Sequence, residues 1–429
     1  MAITLPSACT PKRIGFISTR FHGTDGVTLE ARKWAQILEG MGHTCYWMAG
    51  LLDAPAERSY SAPLAFFSHP EVAEVQSQLF GVASRSRATT NQIQSLKERL
   101  KDHLYHFIRK FDLEVLIPEN ILAIPMHIPL GLAMTEVIAE TTIPVIAHHH
   151  DFTWERERFT LNGVNDYLAA AFPPAFFGMD HVVINSMAQK ELARRLGIPS
   201  HIIPNIVEFE VTPPGFDEYN ADLRQEIGLK DDDWFILQPT RVVARKGIEH
   251  AIELVRRLND PRAKLVISHP AGDEGSAYIT LLHERIADAR IDVRFIADRV
   301  GETRGFNAAG QKIYTLFDVY PHADLVTYPS HYEGFGNAFL EAIYFGKPVV
   351  VNSYAVYARD IDPLGFKIIE MNQLLTHEVV EQTRQVLNDP GLRSDWAGTN
   401  FSLGLKYFSY TVARRKLAGR LANLFGEGA

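Results

Sequence analysis

Glu333 and Glu341 stand eight residues apart in EGFGNAFLEAIYFGKPVV, and Arg241 and Lys246 flank another turn upstream in TRVVARKGIEH. Arginine offers a planar fork for phosphate oxygens and lysine a compact charge, so the basic pair suits a diphosphate. Taken alone, such a turn could equally be a helix start with solvated charge. The combination is more informative. Backbone N–H groups at Gly334 and Gly336 can receive a phosphate at the start of a helix, where the macrodipole favours an anion. Carboxylates repel phosphate but accept hydrogen bonds from hydroxyls. Two acids around a phosphate-binding turn therefore suit a nucleotide sugar, one acid reading the sugar and the other the ribose. A retaining hydrolase couple would need its carboxyls about 5 Å apart, whereas this spacing, with one acid inside a helix, gives about twice that or more.

These residues need a scaffold. ADLVTYPS reads as a buried strand, HYEGFG as the loop at its C-terminal edge, and AFLEAIYF as a helix that Asn337 can cap and Gly346 with Pro348 can end. The strand belongs to a series: WFILQPTRVVARKGI, AKLVISHP, VRFIADRV, ADLVTYPS and KPVVVNS, separated by helical segments. An earlier series has the same rhythm: RIGFIS, CYWMAG, LEVLIPEN, IPVIAHHHD and DHVVINS. Short apolar strands alternating with helices predict parallel sheets with crossover helices, which bind ligands at the strands' C-terminal ends. Between the series, PNIVEFEVTPPGFDEYNADLRQEIGL has the prolines and mixed polarity of an interdomain connection followed by a short helix, which places the boundary near Pro204 to Gly215. The final stretch, YFSYTVARRKLAGRLANLF, is helical in pattern, with no strand after it.

At 429 residues the chain exceeds the size at which single cores stop growing, so two α/β domains with a ligand cleft between them are expected. The formal charge of -8 argues against nucleic-acid binding through a global positive field. Two cysteines, Cys9 and Cys45, make no disulfide framework and suggest a reducing, cytoplasmic compartment. The N-terminus, MAITLPSACTPKR, has neither signal-peptide nor anchor character, and no apolar run approaches the ~20 residues that span a bilayer. One helix, QIQSLKERLKDHLYHFIRKF, combines basic groups with an apolar stripe at Ile93, Leu96, Leu100, Leu104 and Phe107. Packing on its own sheet is the favoured reading and membrane association is disfavoured, since Glu98 and Asp102 interrupt the positive face.

IAHHHDFTWERERF is the most distinctive stretch of the N-terminal half. Three consecutive histidines suggest a metal, but neighbouring side chains on a strand alternate faces, so no metal site is expected and His149 reads as a core histidine. Asp151, Trp154, Glu155, Arg156 and Arg158 leave the strand as a charged, aromatic loop able to bind a polyol or an acidic acceptor; an exposed salt-linked helix start is the alternative. Glu119, with Asn120 in IPEN, is a further acceptor candidate, with helix capping slightly favoured.

In its Arg-x4-Lys pair, Arg241 and Lys246, and its E-x7-E pair, Glu333 and Glu341, the sequence resembles the retaining glycosyltransferases of family GT4. The glycine loop in FHGTDGVT, the His-Asp after a strand and the final helix follow in the family's order, so the resemblance covers nearly the whole chain. It implies the GT-B fold: two facing Rossmann-like domains, residues 1–207 on the acceptor side with a returning helix at about 408–429, and residues 208–407 holding the donor. By the same resemblance, Arg241 and Lys246 hold the donor diphosphate as leaving group, Glu333 reads sugar hydroxyls, Glu341 meets the ribose, and His150 lies near the reacting sugar. Gly334, Phe335, Gly336 and Asn337 line the sugar and phosphates through their backbone, and Gly23 and Gly26 match the donor-facing glycine loop, although FHGTDGVT departs from the commoner paired-glycine form.

The implied reaction moves a hexose from UDP-glucose or GDP-mannose to an acceptor hydroxyl with retention, the leaving phosphate oxygen taking the acceptor proton. No cofactor or obligatory metal is required. A sugar, a sugar phosphate or glycerate suits the charged loop better than a lipid does. The rival readings are a non-catalytic nucleotide-sugar binding protein and a transferase with a membrane lipid acceptor; a sugar-nucleotide epimerase fits the pattern less well. No motif specifies an oligomeric state.

Overall fold

The computed structural model describes residues 10–23, 25–270 and 276–426, so Cys9 lies outside the described residues. The chain divides into two compact units, Met1–Pro204 with Thr411–Ala429, and Asn205–Tyr410. The last helix, Tyr410–Phe425, thus belongs to the first unit from Thr411 onward.

Seven strands build the first unit's sheet: β1 (Arg13–Ile17), β2 (Thr44–Ala49), β3 (Ser59–Ser61), β4 (Val115–Pro118), β5 (Val145–His149), β6 (Met179–Val183) and β7 (His201–Ile202). They pair in parallel in the order β3-β2-β1-β4-β5-β6-β7. All residues of β4 and β5 are buried, as strands covered by helices on both faces must be. Among the covering helices, Gly26–Glu39 starts at Asp25, whose Oδ1 accepts from the amides of Val27 and Thr28 at 3.2 and 3.3 Å. Arg87–Phe111 buries the whole stripe of Ile93, Leu96, Leu100, Leu104 and Phe107 in the first unit's core. Beside that stripe, Lys97 and Lys101 both pair with Glu136 of the helix Ile128–Thr141, at 2.5 and 2.8 Å. The apolar face is therefore taken up by packing, and no membrane-facing surface is left on it. Among the described residues, no helix is long and apolar enough to cross a membrane.

The second unit repeats the plan with β8 (Trp234–Gln238), β9 (Ala263–Ile267), β10 (Asp292–Phe295), β11 (Leu325–Tyr328), β12 (Val349–Asn352) and β13 (Ile369–Met371). These are parallel in the order β10-β9-β8-β11-β12-β13. Ile236, Leu265, Leu325 and Val350 contribute to its core, against Ile248, Ile252 and Val255 of the helix Ile248–Leu258.

Strand order reverses between β1 and β4 in one sheet and between β8 and β11 in the other. A crevice opens beyond the carboxyl ends at such reversals. Glu119 directly follows β4, Arg241 follows β8 and Glu333 follows β11, so the topology delivers each to a switch point.

Candidate functional site

In the second unit the turn after β8 is drawn against the loop after β11. Gly247 makes this possible: its φ is +61°, and an added Cβ would lie 2.4 Å from the Pro329 carbonyl oxygen. His331 seals the contact by donating its amide to the Arg245 carbonyl at 2.9 Å. As a result the Lys246 ammonium forms a short ion pair with Glu333 Oε1, while Arg245 Nη1 reaches Glu333 Oε2 at 3.1 Å. Lys246 also lies over the Tyr328 ring, 5.6 Å from its centroid.

Lys246 and Glu333 are only 9% and 8% exposed, so their ionisation is decided locally. Burial alone would raise the Glu333 carboxyl, but Lys246 and Arg245 outweigh it and hold Glu333 below the ordinary carboxylate value. Burial lowers Lys246, against the pull of Glu333. Arg241 is exposed, and among the described residues its guanidinium has no hydrogen bond or ion pair. Nearby, His269 is held at about 4 by burial, with Lys246 and Arg241 adding to the effect. The site thus carries three cations around a single carboxylate, an environment for a polyanion.

The helix Asn337–Tyr344 starts one residue earlier than expected, because Gly336 rather than Asn337 occupies the cap. With φ at +131°, and with Tyr354 Oη 2.5 Å from where a Cβ would stand, position 336 admits only glycine without strain. Asn337 instead accepts from Asn205 Nδ2 at 2.5 Å. Glu341, in the helix's second turn, accepts from the Tyr320 hydroxyl at 2.9 Å. Phe335, expected to contribute its backbone, has its ring buried against Phe408, centroids 5.4 Å apart, and its carbonyl takes a 2.6 Å hydrogen bond from Tyr354. An aromatic ring gains more from the core than from a wet pocket, so its side chain turns inward. Gly334 lies in the loop between Glu333 and this cap.

In the first unit, β4 and β5 bring Glu119, His148 and His150 together. Glu119 Oε2 is 2.9 Å from His148 Nδ1 and 3.2 Å from His150 Nε2. The expectation that the histidines diverge holds only for neighbours: His148 and His150 share a face, and Glu119 meets them from the adjacent strand. With donor atoms within 4.8 Å of one another, this is one of two groups among the described residues able to hold a metal ion, the other being Glu249, His250 and His331. His149 points to the opposite face, where its Nε2 is 2.9 Å from His181 Nδ1. Glu119 is wholly buried, which corrects its assignment as an acceptor contact: no acceptor can touch a carboxyl without surface.

The comparisons with known proteins give these geometries a context. A family model described as "Glycosyl transferases group 1" matches residues 307–400, the segment that holds Glu333 and Glu341. Over 387 residues, 85% of this chain and 88% of the relative, the sequence is 31% identical to mannosylglucosylglycerate synthase of Petrotoga mobilis. A protein of the same description from Thermotoga maritima is 30% identical, with 92% of this chain and 96% of the relative covered. The chain belongs to the group 1 glycosyl transferases. Its fold is GT-B, as in the crystal structure of Anabaena HepE in complex with UDP and glucose, to which it is similar with a TM-score of 0.65 at 14% identity, covering 96% of this chain and 99% of that one.

Within this glycosyl transferase the remaining candidates are distributed as follows. Gly26 opens a helix instead of lying in the loop before it, and the Gly23 amide donates to Asp53 Oδ2 at 3.1 Å, so that N–H is engaged within the chain. Asp151 pairs with Arg156 at 2.9 Å. Trp154 is half-buried: it stacks on Phe152 with centroids 4.6 Å apart, and Arg195 lies over it at 5.2 Å. Arg158 is exposed, with Nη2 2.9 Å from Met126 Sδ. Residues 153–159 form two 3-10 turns where a helix start was the alternative. Sequence reasoning missed Arg245, Tyr320 and Tyr354. Arg245 was signalled by its place beside Lys246, whereas the tyrosines lie in unremarkable core segments.

Proposed function

We propose that this enzyme is a retaining hexosyltransferase that uses a nucleoside diphosphate sugar and a small soluble acceptor bearing a glycerate group. The observation that carries the reading is the buried Lys246–Glu333 pair, beside Arg245 and Arg241 at a strand-order reversal. The cations give the diphosphate its counter-charge and stabilise it increasingly as it departs. Glu333, with its carboxylate fixed by Lys246 and Arg245, accepts hydrogen bonds from the transferred sugar. Glu341 meets the ribose, and the positive end of the helix Asn337–Tyr344 adds to the phosphate field.

A departing phosphate oxygen takes the acceptor proton on the face it leaves, which gives retention without an enzymatic nucleophile. Phosphate neutralisation by Arg241, Lys246 and the helix terminus makes the reaction metal-independent. His150 approaches the reacting sugar, and Asp151, Arg156 and Arg158 supply polar contacts to the acceptor. The product named for the two synthases supports mannose as the transferred sugar and glucosylglycerate as the acceptor. This favours GDP-mannose over UDP-glucose.

The deciding experiment presents both donors with glycerate, glucosylglycerate and a lipid acceptor, and reads product linkage by NMR. Transfer from GDP-mannose to glucosylglycerate with an α-anomeric product is expected, with chelator present. Tight donor binding without transfer or donor hydrolysis would identify a binding protein instead.

A further inference from the structure

Glu119 poses a problem that the donor site does not explain. Its side chain is 0% exposed, against 1% for His148 and 7% for His150, so it touches no substrate. Burying a carboxyl is costly unless it is hydrogen-bonded. Burial, aided by the buried Glu30, pushes it up to about 7 despite His150 nearby.

The chain is built to hold this group in place. Glu119 donates its amide to the Ile17 carbonyl at 2.8 Å, and Asn120 donates its own to the His148 carbonyl at 2.8 Å. Asn120 adopts the left-handed region, with φ at +60°, and its Oδ1 accepts from the amides of His150 and Asp151 at 2.9 and 3.1 Å. Trp34 stacks on His148 with centroids 3.9 Å apart, and His148 lies 4.2 Å from the His150 ring. The residual exposure of His150 makes it the member of the group that reaches the surface. Its ring has one hydrogen-bond partner among the described residues, the Glu119 carboxylate at 3.2 Å from Nε2.

We infer that Glu119 is a positioning residue that fixes the tautomer and orientation of His150, so that Nδ1 presents a lone pair to a sugar hydroxyl. This rests on the reading of His150 as a residue near the reacting sugar. His148 Nδ1 also lies 2.9 Å from Oε2, but the hydrogen bond of Glu119 in this group is the one to His150, and the chemistry is the proton shared along it. With Glu119 ionised, His150 Nε2–H donates to Oε2 and Nδ1 accepts. With Glu119 protonated, the carboxyl donates to Nε2, and the ring proton must reside on Nδ1, which changes His150 from acceptor to donor. The charged and titratable groups around the pair are Glu30, linked to Lys33 at 2.5 Å on the helix Gly26–Glu39, and His148 and Asp151 on either side of His150 in β5 and the loop after it.

The test compares wild type with Glu119→Gln, His150→Ala and the double variant, all checked for folding by circular dichroism. The amide introduced by Glu119→Gln fills the same volume as the carboxyl but cannot titrate. Expected for Glu119→Gln are a fall in kcat of about tenfold or more, a donor KM near that of wild type, and loss of the wild-type change in kcat across roughly pH 6 to 8. The double variant should be no slower than His150→Ala. Near-normal turnover by His150→Ala would remove the role of His150 and the inference with it. A slow His150→Ala beside a Glu119→Gln of unaltered rate and pH profile overturns the inference alone. So does a further tenfold loss in the double variant, or stoichiometric zinc in the purified wild type that Glu119→Gln lacks.

Discussion

The two units share a strand order and place their charged residues at the same topological point, yet they fill it with opposite chemistry. Beyond β8 and β11 stand Arg241, Arg245 and Lys246 around one ionised carboxylate, Glu333. At the ends of β4 and β5 stand one buried carboxyl, Glu119, and two histidines that burial lowers, His148 to about 3 and His150 also below its ordinary value, while His149 faces the other side of the sheet. The topology fixes where a ligand meets the sheet. The residues at those strand ends decide whether it meets a field of positive charge or the one exposed edge of a buried group, His150.

That contrast can be broken most directly at Lys246. Lys246→Ala should cut transfer on the order of 100-fold while the protein stays folded, because a charge contact to the leaving group is lost at the step where it matters. Steady-state rates beside a circular-dichroism spectrum check it, and near-normal turnover would refute the phosphate role. Glu341→Ala should weaken binding of the free nucleoside diphosphate about tenfold by calorimetry, the effect of one lost hydrogen-bonding acceptor in a partly buried site. An unchanged affinity removes the ribose contact.

Gly336→Ala probes the backbone instead of the charge. A strained φ costs about 1–3 kcal/mol, which corresponds to a melting temperature lower by several degrees. Tyr354 must also move from its 2.6 Å hydrogen bond to the Phe335 carbonyl. A melting curve superimposable on wild type would show that the loop adapts.

The smallest effect should separate the units by pH. Burial holds His148 at about 3 and His181 at about 4, below the 6.5 of an unperturbed histidine, and His149 is lowered as well. The unfolded chain binds protons that these folded histidines do not, so the stability they contribute is complete above pH 6.5 and is lost as the pH falls toward the folded values. Glu119 has the opposite slope, since burial raises it from 4.5 to about 7 and stability from this group falls as the pH rises between those values. Burial also lowers His127 and His150 and raises Glu155 to about 7, so in this unit the lowered histidines outnumber the two raised carboxyls. Hydrogen exchange in β4 and β5 should show the first unit loosening between roughly pH 7.5 and 5.5, more steeply in Glu119→Gln. An acid-insensitive first unit would contradict this balance.

Much of the scaffold was legible in the chain. The interior strands are apolar runs of four to six residues, such as Trp234–Gln238 and Val349–Asn352, and they stand out against helical periodicity. Ser59–Ser61, His201–Ile202 and Ile369–Met371 did not, because two or three residues at a sheet edge carry no pattern of their own. Lys246 and Glu333 could be named from type and spacing. Arg245 could not be given its partner, since its reach to Glu333 depends on the left-handed turn at Gly247 and on a carboxylate 88 residues away.

The sequence by itself determined two α/β units and the cationic character of the turn at Arg241 to Lys246, which follow from periodicity and local residue chemistry, and its paired motifs carried the resemblance to the glycosyl transferases. Only the tertiary structure decided which groups share a proton or a charge. Glu119 and His150 are 31 residues apart along the chain and adjacent only because β4 pairs with β5. Burial then sets their protonation, and burial belongs to packing, which no single stretch of sequence contains.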